Sequence, residues 1–124
     1  MAKVIGVGGI FFKARDPKAL ADWYAKHLGL PVSDFGGAMF PEDANRPGVV
    51  LWSPFKQDTN YFAPSDKPFM VNFRVDDLRA LLAQLRDAGV DVDAKVDENE
   101  FGRFGWMMDP EGNRVELWEP PTSK

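Results

Sequence analysis

The chain has 124 residues, 44% hydrophobic and 27% charged, which suits one domain with a real core rather than two independent ones. A net charge of −4 with scattered Lys and Arg lacks the basic face that nucleic-acid binding requires, and the absence of Cys excludes disulfides, thiolate metal sites and a Cys nucleophile. No stretch approaches the roughly 20 apolar residues of a membrane span, and residues 1–9 are too short and Gly-rich for a signal peptide, so a cytoplasmic address is expected.

In chain order, the apolar, aromatic run 9–14 reads as a strand. Asp16-Pro17 supplies a helix cap and a first-turn Pro, and Leu20, Trp23, Tyr24 and Leu28 recur at helical spacing, which predicts a helix over 17–28 stopped by Gly29. Residues 35–40 and 49–52 read as strands, with Asn45-Arg46-Pro47-Gly48 as the turn between them. A connector over 53–68 carries Phe55, Tyr61 and Phe62 between prolines. Those rings either line a binding loop or pin the connector to the sheet. Residues 69–75 alternate as a strand, Asp76-Asp77 caps a helix whose stripe is Leu78, Leu81, Leu82 and Leu85, and Ala88-Gly89 ends it. The acidic stretch 97–100 reads as a solvated loop. Strands 104–108 and 114–118 form a hairpin across Asp109-Pro110-Glu111-Gly112-Asn113, whose Gly suits a left-handed position.

The order is written twice. Val115-Glu116-Leu117-Trp118-Glu119-Pro120 repeats Val49-Val50-Leu51-Trp52-Ser53-Pro54 at a spacing of 66, and Phe101-Gly102 repeats Phe35-Gly36. At a spacing of 61, Phe73-Arg74-Val75-Asp76-Asp77 repeats Phe12-Lys13-Ala14-Arg15-Asp16. The class expected is α+β: two tandem units of strand, helix and two or three strands, about 4–54 and 68–120 joined by a connector over 55–67, form curved mixed sheets around a cleft with helices outside.

Three strings carry a family likeness: Trp23-Tyr24-Ala25-Lys26-His27-Leu28-Gly29-Leu30, the central Val75-Asp76-Asp77-Leu78 with Leu85-Arg86-Asp87-Ala88-Gly89-Val90, and the closing Asp109-Pro110-Glu111-Gly112-Asn113-Arg114-Val115-Glu116-Leu117-Trp118. With them the chain resembles the vicinal oxygen chelate superfamily, also called the glyoxalase / bleomycin-resistance / extradiol dioxygenase superfamily. That resemblance implies paired βαβββ modules. In metal-dependent members it implies a divalent ion held by strands of both modules. The corresponding positions here are Gly9, Met70, Val50 and Glu116. Gly and Val have no donor side chain and a thioether is too soft for Mg, Zn, Mn or Fe(II), so Glu116 alone qualifies and no metal or other cofactor is expected. The single His, His27, ends the first helix and is read as a solvent-facing residue.

Strand alternation then assigns faces. With Glu116 in the cleft, Arg114 and Trp118 share it, together with Phe11, Met70, Asn72, Arg74 and Trp52. Val71, Phe73, Val75, Val115 and Leu117 turn to the helices. Phe101, Phe104 and Trp106 fit either face, because glycines flank Phe104. The expected function is metal-free binding of a small organic molecule in this amphipathic cleft, by a homodimer. The alternatives are a lyase or isomerase of the glyoxalase family with Glu116 as base or lone metal ligand, and a non-catalytic dimerisation module.

Overall fold

The computed structural model describes residues 2–28, 30–41 and 49–121; the turn expected at 45–48, Gly29 and the side chain of His27 lie outside the described residues. The elements are β1 (Val4–Ala14), α1 (Pro17–Leu28), β2 (Ala38–Pro41), β3 (Val49–Lys56), β4 (Phe69–Val75), α2 (Leu78–Asp87), β5 (Asp91–Val92), β6 (Asp97–Asn99), β7 (Gly102–Met108) and β8 (Arg114–Glu119). The strands form one sheet in the order β2-β3-β1-β4-β8-β7-β5, with β6 also on β7.

The two modules meet where β1 and β4 run antiparallel, pairing Gly9 with Asn72, Ile10 with Val71 and Phe11 with Met70. The repeat spacing of 61 maps this set onto itself, so a pseudo-two-fold axis passes through the Ile10–Val71 pair. Each module then adds its return strand in parallel, β3 beside β1 and β8 beside β4. The curved sheet leaves one face to the helices and the other to a cleft.

Strand β1 starts at Val4, five residues before the expected start, because Gly6, Gly8 and Gly9 disguise it. Glycine weakens a strand but permits close approach. A Cβ on Gly8 would lie 1.8 Å from Asn72 Oδ1, and one on Gly6 would lie 2.6 Å from an Arg74 guanidinium nitrogen. Strand β2 starts at Ala38 rather than 35, and β3 runs past Trp52 to Lys56, into the expected connector. Residues 97–99 are a short edge strand on β7, where Glu98 pairs with Arg79 and Arg103, and not the loop their charge suggested.

Helix α2 forms as its sequence dictates. Asp77 accepts a hydrogen bond from the Ala80 backbone N–H at 3.1 Å, and Gly89 closes the helix at φ +81°. Its buried stripe of Leu78, Leu81 and Leu82 packs on Val75, Val115 and Leu117. A second core on the opposite face gathers Phe11, Phe62, Met70 and Trp106, so the connector's Phe62 fills part of the concavity. No helix among the described residues is long and apolar enough to cross a membrane.

Candidate functional site

The concave face centres on Glu116 in β8, only 1% exposed. Asn72 Nδ2 donates to its Oε1 at 2.7 Å, while the Tyr61 hydroxyl and Trp106 Nε1 donate to its Oε2 at 2.5 and 3.0 Å. Burial pushes the carboxyl pKa above its ordinary range, and the three donors partly oppose that shift. Burial, and then the carboxylate beside it, push the Tyr61 hydroxyl up as well, so Tyr61 stays protonated and donating.

Above this floor lies a hollow of about 270 Å³ lined by Phe11, Phe35, Met39, Leu51, Ser53, Phe55, Tyr61, Phe101, Phe104, Glu116 and Trp118. Phe104 and Trp118 stack with centroids 6.0 Å apart, and Phe55 stacks on Tyr61 at 5.5 Å. A larger depression of about 1230 Å³ lies between the start of α1 and Gln57 and Pro68, but it is a shallow dish with exposed Arg15 and Asp16 and, among the described residues, no buried polar group. The smaller hollow is the better candidate because apolar walls there enclose a buried acid.

Of the expected site residues, Phe11, Trp118 and Glu116 line the hollow, and Asn72 supports Glu116 from beneath. Met70, fully buried, is core filler rather than wall. Arg74 lies across β1, its Nε donating to the Val7 carbonyl at 3.3 Å. Arg114 stands 5.2 Å from the Trp106 ring centroid and pairs with Asp93 at 3.4 Å, lining a separate hollow of about 210 Å³.

Trp52 is corrected. It pairs with Ile10 on the helix face and packs edge-on against Phe12 at 5.5 Å. The cause is a register difference between modules: Glu116 pairs with Asn72, but Phe11, the counterpart of Asn72, pairs with Ser53. Ser53, not Val50, is therefore the image of Glu116. An odd shift turns every side chain over, so Leu51, Ser53 and Phe55 enter the cleft while Val50 and Trp52 leave it. The faces of Phe104 and Trp106, open in the sequence, are fixed by their pairing with Trp118 and Glu116.

Sequence reasoning misses the role of Tyr61, which it places only within the connector. The one distinguishing signal is a hydroxyl on a ring between Phe55 and Phe62.

The residues present do not fit a divalent ion. Around Glu116 stand Gly9, Met70 and the neutral Ser53, and both carboxylate oxygens already accept from protein donors. Among the described residues, no three His, Cys, Asp or Glu side chains converge.

A two-module α+β sheet wrapped around one cleft, with helices on its outer face, defines the architecture of the glyoxalase/bleomycin-resistance/dioxygenase superfamily. The family described as "Glyoxalase-like domain" matches residues 9–118, and the chain belongs to it. No curated protein matches the sequence. Among solved structures, a variant of Streptomyces coelicolor methylmalonyl-CoA epimerase in complex with 2-nitronate-propionyl-CoA is similar at 19% identity and TM-score 0.73, covering 98% of this chain and 99% of that one. Methylmalonyl-CoA epimerase from Mycobacterium tuberculosis is similar at 18% identity and TM-score 0.65, with coverages of 96% and 90%. A glyoxalase/bleomycin resistance protein/dioxygenase superfamily member from Vibrio splendidus 12B01 is similar at 12% identity and TM-score 0.58, with coverages of 96% and 99%. At these identities the likeness speaks for the fold.

Proposed function

We propose that this glyoxalase-like protein is a metal-free binder of a small organic molecule, held in the hollow above Glu116. The observation that carries this reading is one buried carboxylate, its oxygens engaged by Asn72, Tyr61 and Trp106, at the base of an otherwise mostly apolar cavity of about 270 Å³. Pockets of this make-up supply affinity through apolar area and orientation through a few placed polar groups. Neighbouring epimerases hold acyl-CoA compounds, but the hollow here is small and its polar lining is one acid and the hydroxyls of Ser53 and Tyr61.

The test is fluorescence titration with a library of small aromatic molecules, in wild type and in Trp52→Phe and Trp118→Phe variants. Binding should quench wild type and Trp52→Phe alike, and Trp118→Phe should lose most of the response. A response that survives in Trp118→Phe and disappears in Trp52→Phe would refute the assignment of the hollow. Absence of any ligand would favour a pairing domain instead. Elemental analysis of protein purified without chelator should find no stoichiometric Zn, Ni, Fe or Mn, and one equivalent lost on Glu116→Gln would overturn the metal-free reading.

The burial of Glu116 favours a second reading, a lyase or isomerase using it as general base, since a desolvated carboxylate is a stronger base. Glu116→Gln would then abolish turnover and leave binding of the apolar body intact. In both readings we take the protein as a cytoplasmic homodimer. Ile10 and Phe69, 57% and 40% exposed on the outer face beside the pseudo-two-fold axis, offer a self-complementary apolar strip to a second copy. Sedimentation of Ile10→Asp as a monomer, against a dimeric wild type, checks this.

A further inference from the structure

We infer that the hollow selects a flat, two-ring apolar molecule bearing one cationic hydrogen-bond donor, which docks on the open lone pair of Glu116 Oε1. This rests on the reading of the hollow as a ligand site and specifies the ligand's chemistry.

An ionised carboxylate offers about four acceptor positions. Tyr61 and Trp106 occupy the two on Oε2, and Asn72 occupies one on Oε1. One position on Oε1 is left in a side chain that lines the hollow. A neutral donor there would complete the set. A cationic donor would in addition offset the desolvation that Glu116 suffers, and charge-assisted bonds are about twice as strong as neutral ones.

The charges around the hollow point the same way. Among the described residues, Glu116 is the only acidic or basic side chain lining the hollow besides the Tyr61 hydroxyl, which stays protonated. The nearest cation on the same strand, Arg114, favours the charged form of Glu116 through space but lies outside the lining, 5.2 Å from the Trp106 ring centroid and paired with Asp93. A ligand anion would thus meet a buried carboxylate with no described cation lining the same cavity.

The walls set the shape. At about 30 Å³ per water in the liquid, 270 Å³ is roughly nine water volumes, which a fused two-ring body of about ten heavy atoms fills. Phe101 and Phe35, 59% and 51% exposed, stand at the mouth. Ring faces also attract cations, so the entrance and the floor share one preference.

Three probes on one fused two-ring scaffold separate the terms: 4-aminoquinoline, cationic at neutral pH, quinoline, neutral, and quinoline-4-carboxylate. Their affinities for wild type and Glu116→Gln are measured by calorimetry at pH 7.5, at low and at physiological salt. Wild type should bind the cation at least roughly tenfold more tightly than quinoline, the scale of one charge-assisted hydrogen bond, and bind the carboxylate most weakly. Glu116→Gln should keep its affinity for quinoline, which shows the cavity intact, and lose the preference for the cation. Equal binding of the cation and quinoline by wild type, or a preference that survives in Glu116→Gln, overturns the inference and leaves the ligand-site reading standing. Failure of all three probes to bind wild type overturns the inference, and the library titration above then decides the ligand-site reading.

Discussion

Gly8→Ala tests the packing that places Glu116. The new Cβ would sit 1.8 Å from Asn72 Oδ1 and 2.8 Å from Asn72 Cγ, well inside contact distance. Asn72 cannot step aside cheaply, because it is fully buried and its Nδ2 is tied to Glu116 at 2.7 Å. Overpacking of this kind costs about 1–3 kcal/mol, and breaking a hydrogen bond to a buried charge about 1.5–3 kcal/mol more. The expected loss is about 2.5–6 kcal/mol, which at roughly 4 °C per kcal/mol for 124 residues lowers Tm by roughly 10–24 °C. Asn72→Ala removes the obstacle along with the bond. The double variant should therefore be no less stable than Asn72→Ala alone, a coupling of at least about 2 kcal/mol. Thermal and urea unfolding of the four proteins measures this cycle. A Gly8→Ala protein within about 1 kcal/mol of wild type, or single effects that simply add, would refute the reasoning.

Glu116→Gln should change the pH profile of stability as well as ligand preference. The folded state holds this carboxyl's pKa above its ordinary 4.5, so its contribution is complete below 4.5 and is lost as pH rises through the raised value. Wild type should therefore lose stability relative to Glu116→Gln over that rise, by about 1.4 kcal/mol for each pH unit that separates the folded from the unfolded value; a pH-independent difference in urea midpoints would contradict it. Tyr61→Phe removes a donor to the carboxylate, so it should destabilise by about 1.5–3 kcal/mol at neutral pH and move the Glu116 titration, followed by carboxyl NMR, further upward. Asp77→Ala removes the cap of α2 and should cost about 1 kcal/mol, with faster amide exchange confined to the helix's first turn.

Much of the fold was legible because local signals agreed with tertiary demands. The helix predicted at 17–28 has those bounds, and Asp16 Oδ1 accepts from the Ala19 N–H at 3.0 Å as its cap. The spacing of 61 between the opening strands survives as the two-fold pairing of β1 with β4. Glu116 was singled out through the family resemblance, as the one donor among the four positions where metal-dependent members hold their ion. What failed was the spacing of 66, which matched Trp52 to Trp118 and Pro54 to Pro120 by residue type. Strand register answers to the neighbouring strand, and β1 holds β3 three residues away from that match. The slip is odd, so it reversed the faces of Val50 and Trp52 rather than merely displacing them. Tyr61 escaped for another reason: its contact with Glu116 spans 55 residues and begins in a connector with no periodicity to mark a face. The glycines of β1 misled in the opposite direction. They argued against a strand locally, while their actual role is to let Asn72 and Arg74 cross it.

The pseudo-two-fold axis relates the strands on either side of the hollow, but not what they carry at its base. There the pair Asn72–Glu116 faces a counterpart made of Phe11 and Ser53. A near-symmetric container thus has one acidic end and one hydroxyl end. On the reading proposed above, a guest with one cationic donor docks at the acidic end, and its flipped copy exchanges a carboxylate for a hydroxyl. The duplication built the enclosure, and the mismatch between its halves gives that enclosure a sense of direction.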